Sequence, residues 1–236
     1  MAQLPDHARV VIVGLGGIVG ASVVHHLIEA GWDDIVGLEK SAIPTDIGST
    51  SHASDFCYMT AHDRLTCYTS NYSREFFEAR GNYIRIGGIE VARQGDDERM
   101  QELLRKVGSG KAFGTRAQMI TPEEAKEKFP FLEVDQIQGA MWDPDAGLVT
   151  PRSQKVAGDL VDEAVASGKL KAFAYTPATR LLVENDTIVG VETGKGTIMA
   201  DYVILCVGIW GPLVSNTAVV PLPLMPLEHP LLFFGP

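Results

Sequence analysis

An α/β fold is predicted by three stretches of this chain. Residues 9–14, RVVIVG, are a continuous apolar run, as a strand buried on both faces requires. The segment that follows, GIVGASVVHHLIEAG, changes to helical spacing across a cluster of glycines, and DDIVGLEK then returns to an apolar strand ending on an acid. Further on, residues 170–208 alternate apolar strands with short turns and finish on YVILCVG. Strand, glycine turn, helix, strand and acid make the opening βαβ of a dinucleotide-binding fold. The later stretch is a β-meander, unlike the repeated βα units of a second NAD-type half.

The glycine turn has irregular spacing. Gly14 and Gly16 fit the first two positions of G-x-G-x-x-G while Val19 takes the third, and Gly17 and Gly20 fit the last two while Leu15 takes the first. One extra residue in the turn explains both. Glycines between strand and helix let the backbone approach a pyrophosphate, whose charge is met by free N–H groups and the helix dipole. Glu39, nineteen residues after Gly20, can accept hydrogen bonds from ribose hydroxyls and disfavours a 2′-phosphate. A packing role alone for the glycines leaves Glu39 unexplained.

The remaining elements follow in order. From Ala61 to Arg80 the pattern is helical, YIRIGGIEVAR is a strand pair broken at Gly87 and Gly88, and Asp96 to Val107 is an amphipathic helix. TPEEAKEKF has its start written out, with Thr121 as N-cap, Pro122 at N1 and Glu124 at N3 completing a capping box. TPRSQKVAGDLVDEAVASG opens the same way on Thr150 and Pro151, and its Val156, Leu160, Ala164 and Val165 form one buried stripe. LKAFAY, TRLLVE, TIVGVET and TIMADYVILCVG are strands, with turns at ND and GKG.

Composition narrows the class. The 236 residues suffice for a substantial core. Hydrophobic content of 45% against 21% charged excludes a disordered chain, and YVILCVGIW is too short to span a bilayer. The start, MAQLPDHARV, has no basic region followed by an apolar one, and three cysteines form no C-x-x-C pair, so a reducing cytoplasm is expected. A net charge of −10 argues against nucleic acid or an anionic membrane as partner. The chain stops on the apolar PLEHPLLFFGP without a polar tail, and is expected to be the N-terminal portion of a longer protein.

His52 lies in a loop of Gly, Ser and Thr, DIGSTSHASDF, a dozen residues beyond Glu39. On its own such a histidine is as readily a solvated surface residue. The six histidines show no ligand spacing, so no metal site is expected, and a Ser-His-Asp hydrolase lacks its nucleophile elbow. Taken together, however, VVIVG, GIVGASVVHHLIEAGW, GSTSHA, RIGGIEVA, ITPEEAKEKFPFL, CVGIWG and PLPLMPLEHP resemble the dimethylglycine oxidase, dimethylglycine dehydrogenase and sarcosine dehydrogenase family of flavoenzymes. The likeness runs almost the whole length.

The resemblance implies FAD held covalently by His52 through the 8α-methyl of the flavin, chemistry for which a neutral imidazole is a competent nucleophile near neutral pH. It implies that Gly14, Gly17 and Gly20, with Gly16 in the same turn, face the pyrophosphate, and that Glu39 faces the adenosine ribose. Ser49 and Thr50 are implied at the flavin or the phosphates, the backbone of Ala178 at the adenine, and Gly208 and Trp210 where the last strand turns back towards the cofactor. His229 matches an active-site histidine. From the residues alone, Gly208 and Trp210 also suit a tight turn with a core tryptophan, and His229 a strand residue without a role.

The implied fold is an α/β, Rossmann-like FAD-binding domain with a β-meander, residues 1–82 and 139–215. The incomplete start of an α+β substrate domain accounts for 83–138 and 216–236. The implied reaction oxidises an N-methylated amino acid such as dimethylglycine or sarcosine, with hydride passing from the N-methyl carbon to flavin N5. The resulting iminium is hydrolysed or passed to tetrahydrofolate in a downstream aminomethyltransferase region that this sequence does not contain. His229 is the candidate for holding or deprotonating the amine; the sequence does not identify the group for a substrate carboxylate, Arg85 and Arg93 being candidates beside the commoner role of exposed surface arginines. Two positions depart from the family: the extra residue in the glycine turn, and Asp55, which replaces a glycine three residues after His52 and is expected to bring a negative charge near the flavin. The alternatives are an amine or D-amino-acid oxidase with dissociable FAD, a non-catalytic nucleotide-binding module, and an NAD dehydrogenase, which the β-meander and the CVGIWG turn disfavour.

Overall fold

A computed structural model describes residues 3–227. The chain begins with β1 (His7–Val13), α1 (Ile18–Glu29), β2 (Ile35–Leu38) and a single helical turn, α2 (Ser49–His52). A middle stretch carries β3 (Phe56–Cys57), α3 (Arg64–Ala79), β4 (Tyr83–Arg85), β5 (Gly88–Arg93), α4 (Asp97–Ala112), β6 (Gln118–Ile120), α5 (Pro122–Lys128), β7 (Ile137–Asp143) and β8 (Gly147–Val149). The last stretch holds α6 (Ser153–Ala166), β9 (Leu170–Phe173), β10 (Ala178–Glu184), β11 (Thr187–Thr193), β12 (Gly196–Leu205) and α7 (Gly211–Ser215). Packing divides the described residues into two compact units, 3–54 with 152–227, and Asp55–Pro151.

The first unit is built on a six-stranded sheet in the order β10-β11-β12-β1-β2-β9. β1 pairs in parallel with β12 and with β2, and β2 in parallel with β9, so these ladders need helical crossovers. β10, β11 and β12 form an antiparallel meander. This is the α/β sheet with appended meander that the apolar runs predict. Val10 to Val13 are all buried, and Val11, Val13, Val36, Leu38, Val191 and Ile198 share one core cluster. α1 and α6 pack together, α6 through Val156, Ala157, Leu160, Val161 and Ala164. Val165 falls outside the stripe that was expected to include it. It is 44% exposed, because it lies about 100° round the helix from Ala164.

The start of α6 also differs from its sequence signal. Its N-cap is Arg152, with no side-chain cap, rather than Thr150. The backbone of Thr150 is engaged elsewhere: its N–H donates to the Asn82 carbonyl at 2.9 Å, and its own carbonyl accepts from Asn82 Nδ2 at 2.8 Å. α5 keeps its signal in full, with Thr121 Oγ1 accepting the Glu124 N–H and the Glu124 carboxylate accepting the Thr121 N–H.

The second unit has two three-stranded antiparallel sheets, β3-β8-β4 and β5-β7-β6. α4 covers the latter through Leu103 and Val107 against Ala92 and Met141. An ion-pair ladder ties α3 to strand β4 and to the β7–β8 turn: Glu78 bridges Arg74 and Arg85, and Asp145 bridges Arg85 and Arg116. Residues 55–82 and 139–151 pack with the segment between them, because β3 and β4 both pair with β8, and β7 with β5 and β6. By packing, the units therefore part at Ser54 and Pro151. Among the described residues no helix is long and apolar enough to cross a membrane.

Candidate functional site: a nucleotide-sized cavity at the glycine turn

The turn after β1 is shaped by close backbone approaches. Gly14 has φ +93°, and a Cβ there would fall 2.4 Å from the Cys206 carbonyl oxygen, so only glycine fits. Leu15 is fully buried against Gly37, and its inward turn takes up the extra residue. The Gly16 N–H donates to Glu39 Oε2 at 3.0 Å, and the Gly16 carbonyl accepts the Thr45 N–H at 2.9 Å. Gly17 is the N-cap of α1 and has no side chain of its own to cap the helix; the first turn holds no acid, so the positive end of the helix dipole meets only the neutral Thr50 hydroxyl at the Ile18 N–H.

A cavity of about 610 Å³ opens over this turn, within the size range of cofactor sites. Eight residues singled out in the sequence line it: Gly14, Gly17, Glu39, Ser49, Thr50, Ala178, Gly208 and Trp210. Gly16 and Gly20 do not. A Cβ on Gly20 would stand 2.1 Å from the Gly14 carbonyl oxygen, so its part in the turn is close helix–strand packing rather than facing the cavity. Much of the remaining wall is apolar, from Val13, Leu38, Leu205, Val207, Leu213 and Leu222. Trp210 is half-buried and faces this space instead of serving as a core residue.

Glu39 is only 6% exposed. Besides Gly16 it accepts the Ser41 N–H at 3.1 Å and the Ser41 hydroxyl at 3.4 Å, both on Oε1. A carboxylate offers about four acceptor sites, so one is left beyond these three, on a residue that lines the cavity. The Glu39 carbonyl accepts the Thr176 N–H at 2.7 Å, which seats the segment leading to Ala178 beside it.

Sequence reasoning missed Lys40 and Thr45. Lys40 lines the cavity with its Nζ 3.3 Å from the centroid of the Trp210 ring. Burial lowers its pKa from the ordinary lysine value, and the neighbouring Glu39 charge opposes the shift. Its only sequence signal was its place directly after the acid. Thr45, buried in the long loop after β2, hydrogen-bonds Ser41 Oγ at 2.9 Å and so braces Glu39 from behind. The Cys206 thiol, also lining the cavity, is pushed up to about 11 by burial and stays uncharged near neutral pH.

His52 ends the helical turn whose first two residues, Ser49 and Thr50, line the cavity; its own side chain is exposed and does not line it. Thr50 Oγ1 accepts the Ile18 N–H at 3.0 Å and thereby docks the loop on the start of α1. From the other side Gln154 Nε2 donates to the Thr45 carbonyl at 2.8 Å, and Arg152 Nη2 to the Ser51 carbonyl at 3.3 Å. His229 lies outside the described residues. Arg85 is engaged by Glu78 and Asp145, which leaves it unsuited to a substrate carboxylate, and Arg93 is exposed at the end of β5. Among the described residues no group of three His, Cys, Asp or Glu side chains could hold a metal ion.

Comparison with known proteins agrees with this geometry. A family model described as FAD dependent oxidoreductase matches residues 9–236. The pyruvate dehydrogenase phosphatase regulatory subunit, mitochondrial, of Mus musculus is 32% identical over 235 residues, covering 96% of this chain and 26% of that protein. Mitochondrial sarcosine dehydrogenase of Homo sapiens is 29% identical over 244 residues, covering 96% and 25%. The crystal structure of L-proline dehydrogenase from P. horikoshii superposes with a TM-score of 0.81 at 29% identity, covering 91% of this chain and 56% of that one. The chain thus spans about a quarter of the length of these two curated relatives.

Proposed function

The chain belongs to the FAD dependent oxidoreductase family, and on that premise we propose that it is the cofactor-binding portion of a flavoenzyme that oxidises an N-methylated amino acid such as sarcosine or dimethylglycine. The observation that carries the reading is the cavity itself, where Gly14, Gly17 and Glu39 from one end of the chain meet Ala178, Gly208 and Trp210 from the other.

The residues present fit FAD. The Gly14 turn leaves no room for a side chain, and α1 opens at Gly17 with no acid in its first turn, which together suit a diphosphate. Lys40 adds a cation at the same cavity. The free acceptor site of Glu39 suits a ribose hydroxyl. FAD, when bound, supplies a two-electron acceptor and an electrophilic 8α carbon. The chain's part is to hold the dinucleotide, exclude water with its apolar walls and tether the ring through His52. His229 is proposed to hold or deprotonate the substrate amine, which must be neutral to expel hydride. In this reading residues 1–82 and 139–215 serve the cofactor, and 83–138 and 216–236 begin the substrate-binding portion. Any transfer to tetrahydrofolate belongs to a downstream region.

A second reading is favoured by one relative, the 32% identical regulatory subunit. Its name describes regulation rather than oxidation, and a non-catalytic flavin-binding module fits the same cavity. Anaerobic titration of the full-length gene product with sarcosine and dimethylglycine separates the two. Bleaching of bound flavin supports the oxidoreductase, and flavin that stays yellow with every N-methyl substrate supports the module. Peptide mass spectrometry tests the tether: a flavin-sized adduct on the fragment containing His52 supports it, and an unmodified fragment rejects it.

A further inference from the structure

We propose that Ser51 is a positioning residue that, together with the Gly48 carbonyl, holds the tautomer and ring setting of His52, so that Nε2 is the nitrogen that bonds the flavin. This rests on the tether reading above.

Three groups meet at one carbonyl. The Gly48 oxygen accepts the Ser51 N–H at 3.1 Å and the Ser51 hydroxyl at 2.8 Å, and it lies 3.1 Å from His52 Nδ1. Ser51 Oγ is itself 3.0 Å from Nδ1. A carbonyl can only accept, and an unprotonated Nδ1 would set its lone pair against that oxygen, so Nδ1 carries the ring hydrogen. With the serine hydrogen directed at Gly48, the Ser51 oxygen turns a lone pair to the same Nδ1–H. The neutral ring then has its own lone pair on Nε2.

The exposure of His52 makes these bonds the means by which its ring is oriented, since packing does little there. The backbone under them is fixed: Arg152 holds the Ser51 carbonyl and Thr50 is docked on Ile18. Attachment forms the bond from Nε2 to the 8α carbon. One proton leaves the methyl group, a second leaves Nδ1, and the two electrons pass through the ring to dioxygen, giving hydrogen peroxide. Ser51 acts by keeping the nucleophilic nitrogen presented and its opposite nitrogen held.

The test mixes full-length apoprotein with saturating FAD, quenches samples in acid and reads retained flavin by in-gel fluorescence, for the wild type, Ser51→Ala, Ser51→Thr and His52→Ala. Ser51→Ala should slow the saturating attachment rate about tenfold, the kinetic equivalent of one hydrogen bond. NMR of its flavinyl peptide should show Nδ1 linkage mixed with Nε2 linkage. Ser51→Thr should restore both rate and linkage. Damage to folding or to FAD affinity appears instead in the FAD concentration needed for saturation. A wild-type rate with Nε2 linkage alone in Ser51→Ala overturns the role of Ser51 and leaves the tether standing. Absence of acid-stable flavin in the wild type overturns both.

Discussion

Glu39 Oε2 accepts the Gly16 N–H at 3.0 Å across 23 residues of sequence, so the acid that ends β2 holds the turn that follows β1. The residue has a structural task as well as the proposed ribose contact. Glu39→Ala strands the Gly16 and Ser41 N–H groups, at a cost of about 1–3 kcal/mol. The melting temperature should fall by roughly 2–4 °C for each kcal/mol. Glu39→Gln keeps one oxygen acceptor and should fall between the two, with FAD affinity dropping in the same order. Thermal melts of the apoproteins check the first claim, and FAD titrations the second. An alanine variant that melts with the wild type would show that the turn holds itself.

Asp145 should make the protein sensitive to acid. Hydrogen bonds from Arg116 hold its carboxyl below the ordinary carboxylate range, against the opposing effect of burial, and the charges of Arg116 and Arg85 add to the lowering. With the folded value below the unfolded value of about 3.9, the stabilisation is complete above that pH and disappears as pH falls through the folded value. Asp145→Asn should therefore lose about 1–3 kcal/mol at pH 7. The gap to the wild type should narrow below about pH 3. Denaturant unfolding at both pH values measures it, and a gap independent of pH would mean that the carboxylate charge contributes nothing.

Asp55 stands at φ +62°, in the left-handed region that a glycine would occupy without strain, and its carbonyl fixes that conformation by accepting the Val149 N–H at 2.8 Å. The family resemblance expects glycine here, and the backbone supplies the reason. Asp55→Gly should lie within about 1 kcal/mol of the wild type, because relief of strain is offset by the entropy of an unfolded glycine. Asp55→Val should be less stable than Asp55→Gly by about 1–2 kcal/mol. Equal denaturation midpoints for the valine and glycine variants would place Asp55 outside the strained region.

What could be read from the sequence was whatever repeats along the chain. The valine-rich β1, the acid at the end of β2 and the meander β10–β12 follow from periodicity, and the Thr121 capping box from local chemistry. Strands β6, β7 and β8 carry no such signal, since short antiparallel strands take their pattern from partners distant in sequence, as β8 does from Phe56 and Ile84. Thr150 and Pro151 imitate a helix start because local chemistry gives no sign that Asn82 claims the Thr150 backbone. At the site, glycines and acid were visible because each is rare at its position. Lys40, Thr45 and Ser51 were not, since their roles depend on which oxygen or ring faces them after folding.

The glycines of the turn can be separated by one methyl group. On Gly20 an added Cβ would meet the Gly14 carbonyl oxygen at 2.1 Å, and backbone on both sides leaves nothing flexible to yield. Gly20→Ala should push α1 away from β1 and cost at least about 1–3 kcal/mol, with FAD binding lost only as a consequence of unfolding. On Gly17 the added Cβ meets Thr50 Oγ1 at 3.4 Å, ordinary contact, and extended backbone of φ −88° suits alanine. Gly17→Ala should therefore fold nearly as well as the wild type, yet it sets a methyl group at the cavity wall where the diphosphate is proposed to lie. Its melting curve should match the wild type while its dissociation constant for FAD rises by about tenfold, the equivalent of roughly 1.4 kcal/mol. Paired melts and titrations of the two variants decide the matter: a stable Gly20→Ala protein would contradict the packing role, and unaltered FAD affinity in Gly17→Ala would move the diphosphate away from the start of α1.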